Sequence, residues 1–490
     1  MGIDLGAGSL KVTIITETGE IRGEASHPVA THISHPGWSE QNPADWLTAL
    51  AAAIPAARST ADILNTEIAA IGISAGAHIP VLTDAAGAVL RPAILWNDQR
   101  AADQAVALNT QAGALIIQKS LNRPNPTWTL PMLAWLQQHE PDIIARTARL
   151  YLAKDFLRHA LTGTWETDFS DAIGALMADN ATKTWSPDIA GLISWNMATL
   201  PPIKPATATA GTVTAQAASR FGLAEGTAVI VGANDTTVEL FAAGAITPGA
   251  ATIKLATAAV LSQVTAGPQI NPPISCYPHI IDCLYYTATG TNSCASAHRW
   301  LRDTMFRAGG FAEMDALAAT IPPGADGLIF HPYLQGERAP YWDPQLRADF
   351  LGLTISHTPA HFARALYEGI AFSIRDLIAA SPDQTFSTAR LLGGGAQSAT
   401  WRQIIADVTG LTIERTAATD ASYGAALLAG LGLGLFTSPA EAINKRVRLL
   451  DTTKPDPETH DFYSDLFAIY KSAQAALAPI CHSLVGRRVG

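Results

Sequence analysis

Along MGIDLGAGSLKVTIITETGEI the apolar positions fall in two short runs, Ile3 and Leu5, then Val12, Ile14 and Ile15, separated by Gly6, Ala7, Gly8 and Ser9. Apolar runs on either side of a small-residue gap predict a β-hairpin with a tight turn. In NPADWLTALAAAIPAA, Asn42 is placed to cap a helix and Pro43 stands at its first position, so a helix is expected to run to Pro55. IAAIGISAGAHIPVL then reads as a buried strand, a loop at SAGAH and a second strand. From about Arg100 to Lys183 the alanine- and leucine-rich segments carry helical spacing and predict a helical insertion.

Further on, GTAVIVGANDTTVELFAAGAI predicts an apolar strand closed by a glycine turn, with Asp235 just past the strand end and a helix from near Thr236. The stretch ITPGAATIKLATAAVLSQVTAG repeats the opening design, with a strand through Ile253 and Leu255, the turn ATAA and a strand from Val260. We read this as a weak internal duplication with a boundary between Gly244 and Pro248, dividing the chain into domains 1–245 and 246–490. ARLLGGGAQ followed by SATWRQIIADVTG is a strand, a glycine run and a helix capped near Ser398. YGAALLAGLGLGLF is too short to span a bilayer and reads as a buried helix and turn.

Composition narrows the class. A chain of 490 residues exceeds one ordinary core, so two domains are expected. With 48% hydrophobic and 15% charged residues the chain is globular rather than disordered. A formal charge of -10 argues against broad binding of nucleic acid or anionic membranes, so any phosphate site has to be built locally. Cys276, Cys283, Cys294 and Cys481 form no CxxC pair, which fits a reduced, cytoplasmic chain. No basic segment followed by an apolar one opens the sequence, so no secretory signal is expected.

Five stretches are candidates for chemistry. Backbone N–H groups at the turn Gly6, Ala7, Gly8 and Ser9 can converge on a phosphate, with Asp4 placed for magnesium and Lys11 to offset charge; the alternative is a plain hairpin with a surface lysine. Gly393, Gly394 and Gly395 before a helix suit a nucleotide, or simply a close strand-to-helix turn. Asp235 stands where active residues of open α/β sheets collect and can accept a proton from a hydroxyl, or it can serve as a helix cap. SAGAH and ILWNDQRA offer His78, Trp96, Asn97, Asp98 and Arg100, a mixture suited to a polyhydroxylated ligand, although each also has an ordinary packing role.

Taken in order, GIDLGAGSLK, GWSEQNPADW, RPAILWNDQRA, AKDFLRHALTG with TDFSDA, GERAPYWDPQLRADFLGL and GGGAQSATWRQIIADVTG resemble the FGGY carbohydrate kinases, most closely the xylulokinases, over essentially the whole chain. The resemblance implies an α/β, actin-like (ribonuclease H-like) ATPase fold, two related domains around a cleft. It implies ATP and Mg2+ as cofactors and a sugar or polyol as the small-molecule partner, a ketopentose such as D-xylulose first. Homodimers are common among such relatives. Residue by residue it implies Asp235 as catalytic base, Ala77, His78, Trp96, Asn97 and Asp98 for substrate, and Asp4 near magnesium. It assigns Gly6, Ala7, Gly8, Ser9, Lys11 and Thr257 to phosphates, and Gly393, Gly394 and Gly395 to adenosine.

The chain departs from that family at four places, one of them TTVEL after Asp235, where a small-residue run is usual. Ala7 and Gly8 replace hydroxyl residues, LATAA stands where relatives carry LGTSG, and SAGAH replaces SGQMH. An alanine forced to positive φ in LATAA would cost on the order of 1 kcal/mol and weaken ATP binding. Gly76 and Ala77 predict a roomier pocket, so another ketose or polyol is the alternative substrate, and a catalytically weakened sugar-binding homologue is the rival reading. An actin- or chaperone-like ATPase without a sugar site is disfavoured by ILWNDQRA and GERAPYWDP.

Overall fold

The computed structural model describes residues 1–306, 310–381, 386–417 and 420–486. The chain packs as two compact units. The first comprises Met1–Ile246, Thr265–Tyr286 and Ala418–Arg448, and the second Thr247–Val264, Thr287–Ala417 and Leu449–Gly490. Division by packing is therefore not a single cut between residues 245 and 246, because two later segments return to the first unit.

In the first unit, strands β1 (Gly2–Leu5), β2 (Ser9–Ile15), β3 (Ile21–Pro28), β4 (Ala70–Ala75), β5 (Thr209–Thr212) and β6 (Ala228–Ile230) form one sheet in the order β5-β6-β4-β1-β2-β3. β1, β4 and β6 run parallel, and the others pair antiparallel. β4 is buried along its whole length, as a central parallel strand covered on both faces must be, which is why it reads as a continuous apolar run.

The opening hairpin forms as its pattern predicts. The first helix overruns its expected end: Pro43–Ala61 continues through Pro55. Proline removes one backbone hydrogen bond, but Trp46, Leu50, Ile54 and Ala57 are buried, and that burial outweighs the loss. The glycine-rich stretch near the C-terminus becomes the buried helix Ala421–Gly432. A glycine in the sheet lets it lie close, since a Cβ on Gly72 of β4 would fall 2.2 Å from the Ala425 carbonyl oxygen.

The second unit repeats the plan. Strands β7 (Ala251–Leu255), β8 (Ala259–Thr265), β9 (Thr388–Leu392), β10 (Thr412–Thr416) and β11 (Leu449–Thr453) follow in the order β8-β7-β9-β10-β11. The hairpin β7-β8 is antiparallel, β7, β9 and β10 are parallel, and β11 closes antiparallel. This is the pattern of β2-β1-β4-β6 in the same chain order, so the duplication suspected from two hairpins extends through four strands, while the antiparallel edge strand precedes its neighbour in the first unit and follows it in the second. Among the described residues no helix is long and apolar enough to cross a membrane.

Candidate active site

In the first unit three parallel strands deliver their carboxyl ends together. Leu5 pairs with Ala75, and the Gly76 N–H donates to the Leu5 carbonyl at 3.2 Å. β6 lies beside β4, so the turn Gly6–Ser9, the loop SAGAH and the segment leading to Asp235 emerge at one edge. Such an edge is where open α/β sheets collect reactive groups. Gly232 permits the crossing: its φ is +81°, and a Cβ there would stand 2.1 Å from the Ile73 carbonyl oxygen.

Asp235 is the first residue of the helix Asp235–Ala242, and the capping role falls to Asn234, whose side-chain oxygen accepts from the Thr237 N–H at 2.9 Å. The Asp235 carboxylate is half-buried and accepts from the Thr236 N–H at 2.7 Å. A helix N-terminus favours the charged form of such a group. Asp4 is also half-buried and accepts from the Ser74 hydroxyl at 2.7 Å.

The turn between β1 and β2 is open. The Gly6 N–H donates to the Ser9 carbonyl at 3.0 Å, the Ala7 carbonyl accepts from Gln41 at 2.7 Å, and a Cβ on Gly8 would meet nothing within 4 Å. Lys11 is placed differently from the expectation of a phosphate counter-charge. It sits between Glu24 and Asp420, 2.7 Å from each. Burial alone would lower its pKa, and the two carboxylates more than reverse that, so it is raised.

His78 is buried with φ +73°, and burial pushes its pKa down to about 3, so the ring is neutral. Its Nε2 lies 3.0 Å from the Tyr277 hydroxyl, and its ring packs 4.1 Å from that of Trp128. The room expected from Gly76 is taken up locally, because a Cβ there would lie 3.3 Å from the exposed Trp96 ring. Ala77 is half-buried and Asn97 is exposed. Asp98 is turned to structural work: it is buried, pairs with Arg100 at 2.8 Å and accepts from the Ser39 N–H at 2.5 Å. The sheet edge thus gathers Asp4, Gly6–Ser9, His78 and Asp235, with Trp96 packed over Gly76, whereas Lys11 and Asp98 are held by partners of opposite charge.

The second unit brings its own two turns together. Lys254 pairs with Leu392, so Ala256–Ala258 and Gly393–Gly395 follow adjacent strands. Ala256, Ala258 and Ala259 all lie outside the left-handed region, so the strain anticipated for alanine in LATAA does not arise. Thr257 is exposed, and its carbonyl accepts from the Cys294 N–H at 3.0 Å and from the Ser296 hydroxyl at 2.9 Å. Gly393 is required: its φ is +85°, and a Cβ would lie 2.4 Å from the Leu255 carbonyl oxygen. A Cβ on Gly394 would meet nothing within 4 Å, and Gly395 packs on Leu255 and Trp401. Ser398 caps the helix Ala399–Thr409 through the Trp401 N–H at 2.9 Å, as its position predicts.

Sequence reasoning missed Ser74, Trp128, Asn234 and Tyr277. Of these, Asn234 carried a readable signal, a capping residue three positions before Thr237 at a helix start.

Comparison with known proteins agrees with this geometry. Residues 1–242 match the FGGY family of carbohydrate kinases, N-terminal domain, and residues 254–433 its C-terminal domain. The chain is 32% identical over 478 residues to a xylulose kinase of Staphylococcus epidermidis, covering 96% of this chain and 95% of that one. It is 30% identical over 477 residues to a xylulose kinase of Bacillus subtilis, covering 96% of each. Among solved structures, the xylulose kinase from Rhodospirillum rubrum aligns with a TM-score of 0.88 at 29% identity, covering 98% of this chain and 99% of that one.

Proposed function

The chain belongs to the FGGY family of carbohydrate kinases, with its actin-like fold and ATP-dependent sugar kinase activity, and from that premise we propose D-xylulose as its substrate and Asp235 as its general base. Asp235 accepts the proton of a sugar hydroxyl, that oxygen bonds to the γ-phosphorus of ATP, the bond from that phosphorus to the β-phosphate oxygen breaks, and ADP leaves. The observation that carries this reading is the division of labour between Asn234 and Asp235. Asn234 makes the cap of the helix, and the Asp235 carboxylate, held by the Thr236 N–H, stands next to it at the edge where three parallel strands end.

Charge supports an uncharged sugar. The groups gathered at this edge include two carboxylates, Asp4 and Asp235, and a neutral His78, while Lys11 is already paired with Glu24 and Asp420. An aldonate would meet like charge there. In the first unit the N–H groups of Gly6–Ser9 are assigned to phosphate oxygens, and in the second Thr257 is assigned to phosphate and Gly393–Gly395 to adenosine.

Magnesium fits Asp4 in the manner usual for that ion, through one carboxylate and its own water shell, with substrate phosphates supplying the rest. Among the described residues no group of three or more His, Cys, Asp or Glu forms an all-protein cage. The half-buried Asp4 beside the open Gly8 turn is the residue that would hold it. When bound, the ion would neutralise charge on the phosphate oxygens.

The rival of a weakened sugar-binding homologue rested on alanine-filled turns; the backbone of LATAA lies outside the left-handed region, which answers the strain and leaves the missing hydroxyls of Ala7, Gly8 and Ala258 to the test. The test is ADP release measured across pentuloses, hexuloses, tetritols, pentitols, glycerol and gluconate, with ATP binding followed by calorimetry. D-Xylulose should give the highest kcat/KM. A polyol or gluconate ranking first would overturn the substrate, and sugar binding without ATP binding would restore the rival.

A further inference from the structure

The stretch GERAPYWDP lies in the second unit, as does the turn that carries Thr257. Its acid, Glu337, stands in a narrow loop: the Glu337 N–H donates to the Asp343 carbonyl at 2.9 Å, and the Asp343 N–H donates back at 2.9 Å. The side chain is only 2% exposed, and one of its oxygens makes both of its bonds. Oε1 accepts from the Asn292 N–H at 2.6 Å and from the Arg338 N–H at 2.7 Å. Oε2 is buried and has no hydrogen-bond donor among the described residues. A bare buried carboxyl oxygen is costly, so packing alone does not call for an acid here.

Arg338 grips the same neighbouring segment. Its Nε donates to the Gly290 carbonyl at 2.9 Å and its Nη2 to the Thr291 carbonyl at 3.1 Å. The fit leaves no space for a side chain at Gly290, where a Cβ would lie 2.6 Å from Arg338 Nη2 and 2.7 Å from the Ala259 carbonyl oxygen.

Residues 291–295 carry this hold to the turn Ala256–Ala259. The Thr291 N–H donates to the Ala259 carbonyl at 2.9 Å, and its Oγ1 accepts from the Ala259 N–H at 3.1 Å. The Cys294 and Ala295 N–H groups donate to the Thr257 and Ala256 carbonyls at 3.0 and 2.9 Å, and the Ala258 carbonyl accepts from the Ala256 N–H at 3.1 Å. All four carbonyls of the turn are thus engaged by protein donors. Among the described residues none accepts from the N–H groups of Thr257 and Ala258. A turn with its carbonyls tied back and two N–H groups to spare suits an anion, because a free carbonyl oxygen would repel one.

We propose that Glu337 is a positioning residue for nucleotide binding: by holding the Asn292 and Arg338 N–H groups on one oxygen it keeps residues 290–292 against the turn Ala256–Ala259, and so keeps that turn in its phosphate-accepting form. The proposal rests on the reading of this turn as a phosphate site.

Glu337→Met keeps the length of the side chain and removes the acceptor. It should raise the KM for ATP about tenfold, the scale of one or two lost hydrogen bonds, and weaken ATP binding by calorimetry about as much, with the KM for D-xylulose within about twofold of wild type. Glu337→Gln retains an oxygen for both N–H groups and should keep the KM for ATP within about twofold. Wild-type ATP binding in Glu337→Met overturns the proposal, as does an equal rise in the KM for D-xylulose, which marks general loosening of the fold. A loss in Glu337→Gln as large as that in Glu337→Met also overturns it, because the held N–H groups would then not be the cause. Should Glu337→Met fail to fold, Arg338→Met decides: a rise in KM confined to ATP upholds the proposal, and an unchanged KM for ATP overturns it. Thr257→Val separates the proposal from the reading beneath it. A wild-type KM for ATP in Thr257→Val removes the phosphate site and the proposal together, whereas a raised one beside an unaffected Glu337→Met removes the proposal alone.

Discussion

The two units share a strand plan and differ in what stands at its edge. In the first, the turn after β1 shares its sheet edge with two carboxylates, Asp4 and Asp235, and the neutral His78. In the second, the matching turn after β7 carries Thr257 and neighbours the glycine run after β9, and no carboxylate stands among those residues. The scaffold is the same, so the chemistry resides in the few residues placed at strand ends. The same contrast explains the glycines: Gly393 is dictated by backbone crowding, whereas Gly8 and Gly394 face open space.

The strongest way to break this contrast is Asp235→Asn. It should lower kcat by about 10² to 10⁴, the range of a general base, while affinity for D-xylulose by calorimetry stays near that of the wild type. A fall in affinity to match the fall in kcat would make Asp235 a binding residue instead.

Gly393→Ala and Gly394→Ala sharpen the glycine half. Gly393 has φ +85° and ψ 177°, a region open essentially to glycine alone, and its added Cβ would strike backbone. Gly393→Ala should destabilise the protein by about 2 to 4 kcal/mol in urea unfolding. Gly394→Ala should change stability by less than about 0.5 kcal/mol and raise the KM for ATP. Equal losses in the two variants would show that backbone crowding does not separate them.

A third prediction concerns pH. Burial holds the folded pKa of His78 at about 3, below the ordinary histidine value of 6.5, so the unfolded chain binds more protons between those limits. Stability from this group is present above pH 6.5 and is lost as pH falls toward 3. Between pH 7 and pH 5 the wild type should lose about 2 kcal/mol that His78→Asn does not lose. Parallel losses in the two would mean that the ring is not held neutral.

The smallest effect belongs to Lys11. Its pairs with Glu24 and Asp420 are partly exposed, so Lys11→Met should cost less than about 1 kcal/mol. The KM for ATP should stay within about twofold. A tenfold rise would restore Lys11 to the phosphates.

Local pattern made much of this molecule readable in advance. The two hairpins, the glycine run with its Ser398 cap, and Asp235 at a strand end all follow from residues within a few positions of one another. What stayed hidden depends on distant pairing. Lys11 meets Asp420 from 409 positions away, and Tyr277 meets His78 from 199. Neither partner leaves a local trace. Pro55 misled because a local rule was overridden by burial, and Asp98 because its buried bond to the Ser39 N–H comes from another segment.

The central claim is that ATP is cleaved by transfer to a sugar hydroxyl. Its most direct test is ADP release by the wild-type protein with ATP and magnesium, measured with and without D-xylulose. The account predicts negligible release without sugar and one ADP for each sugar phosphorylated. Release at the same rate without sugar would contradict it.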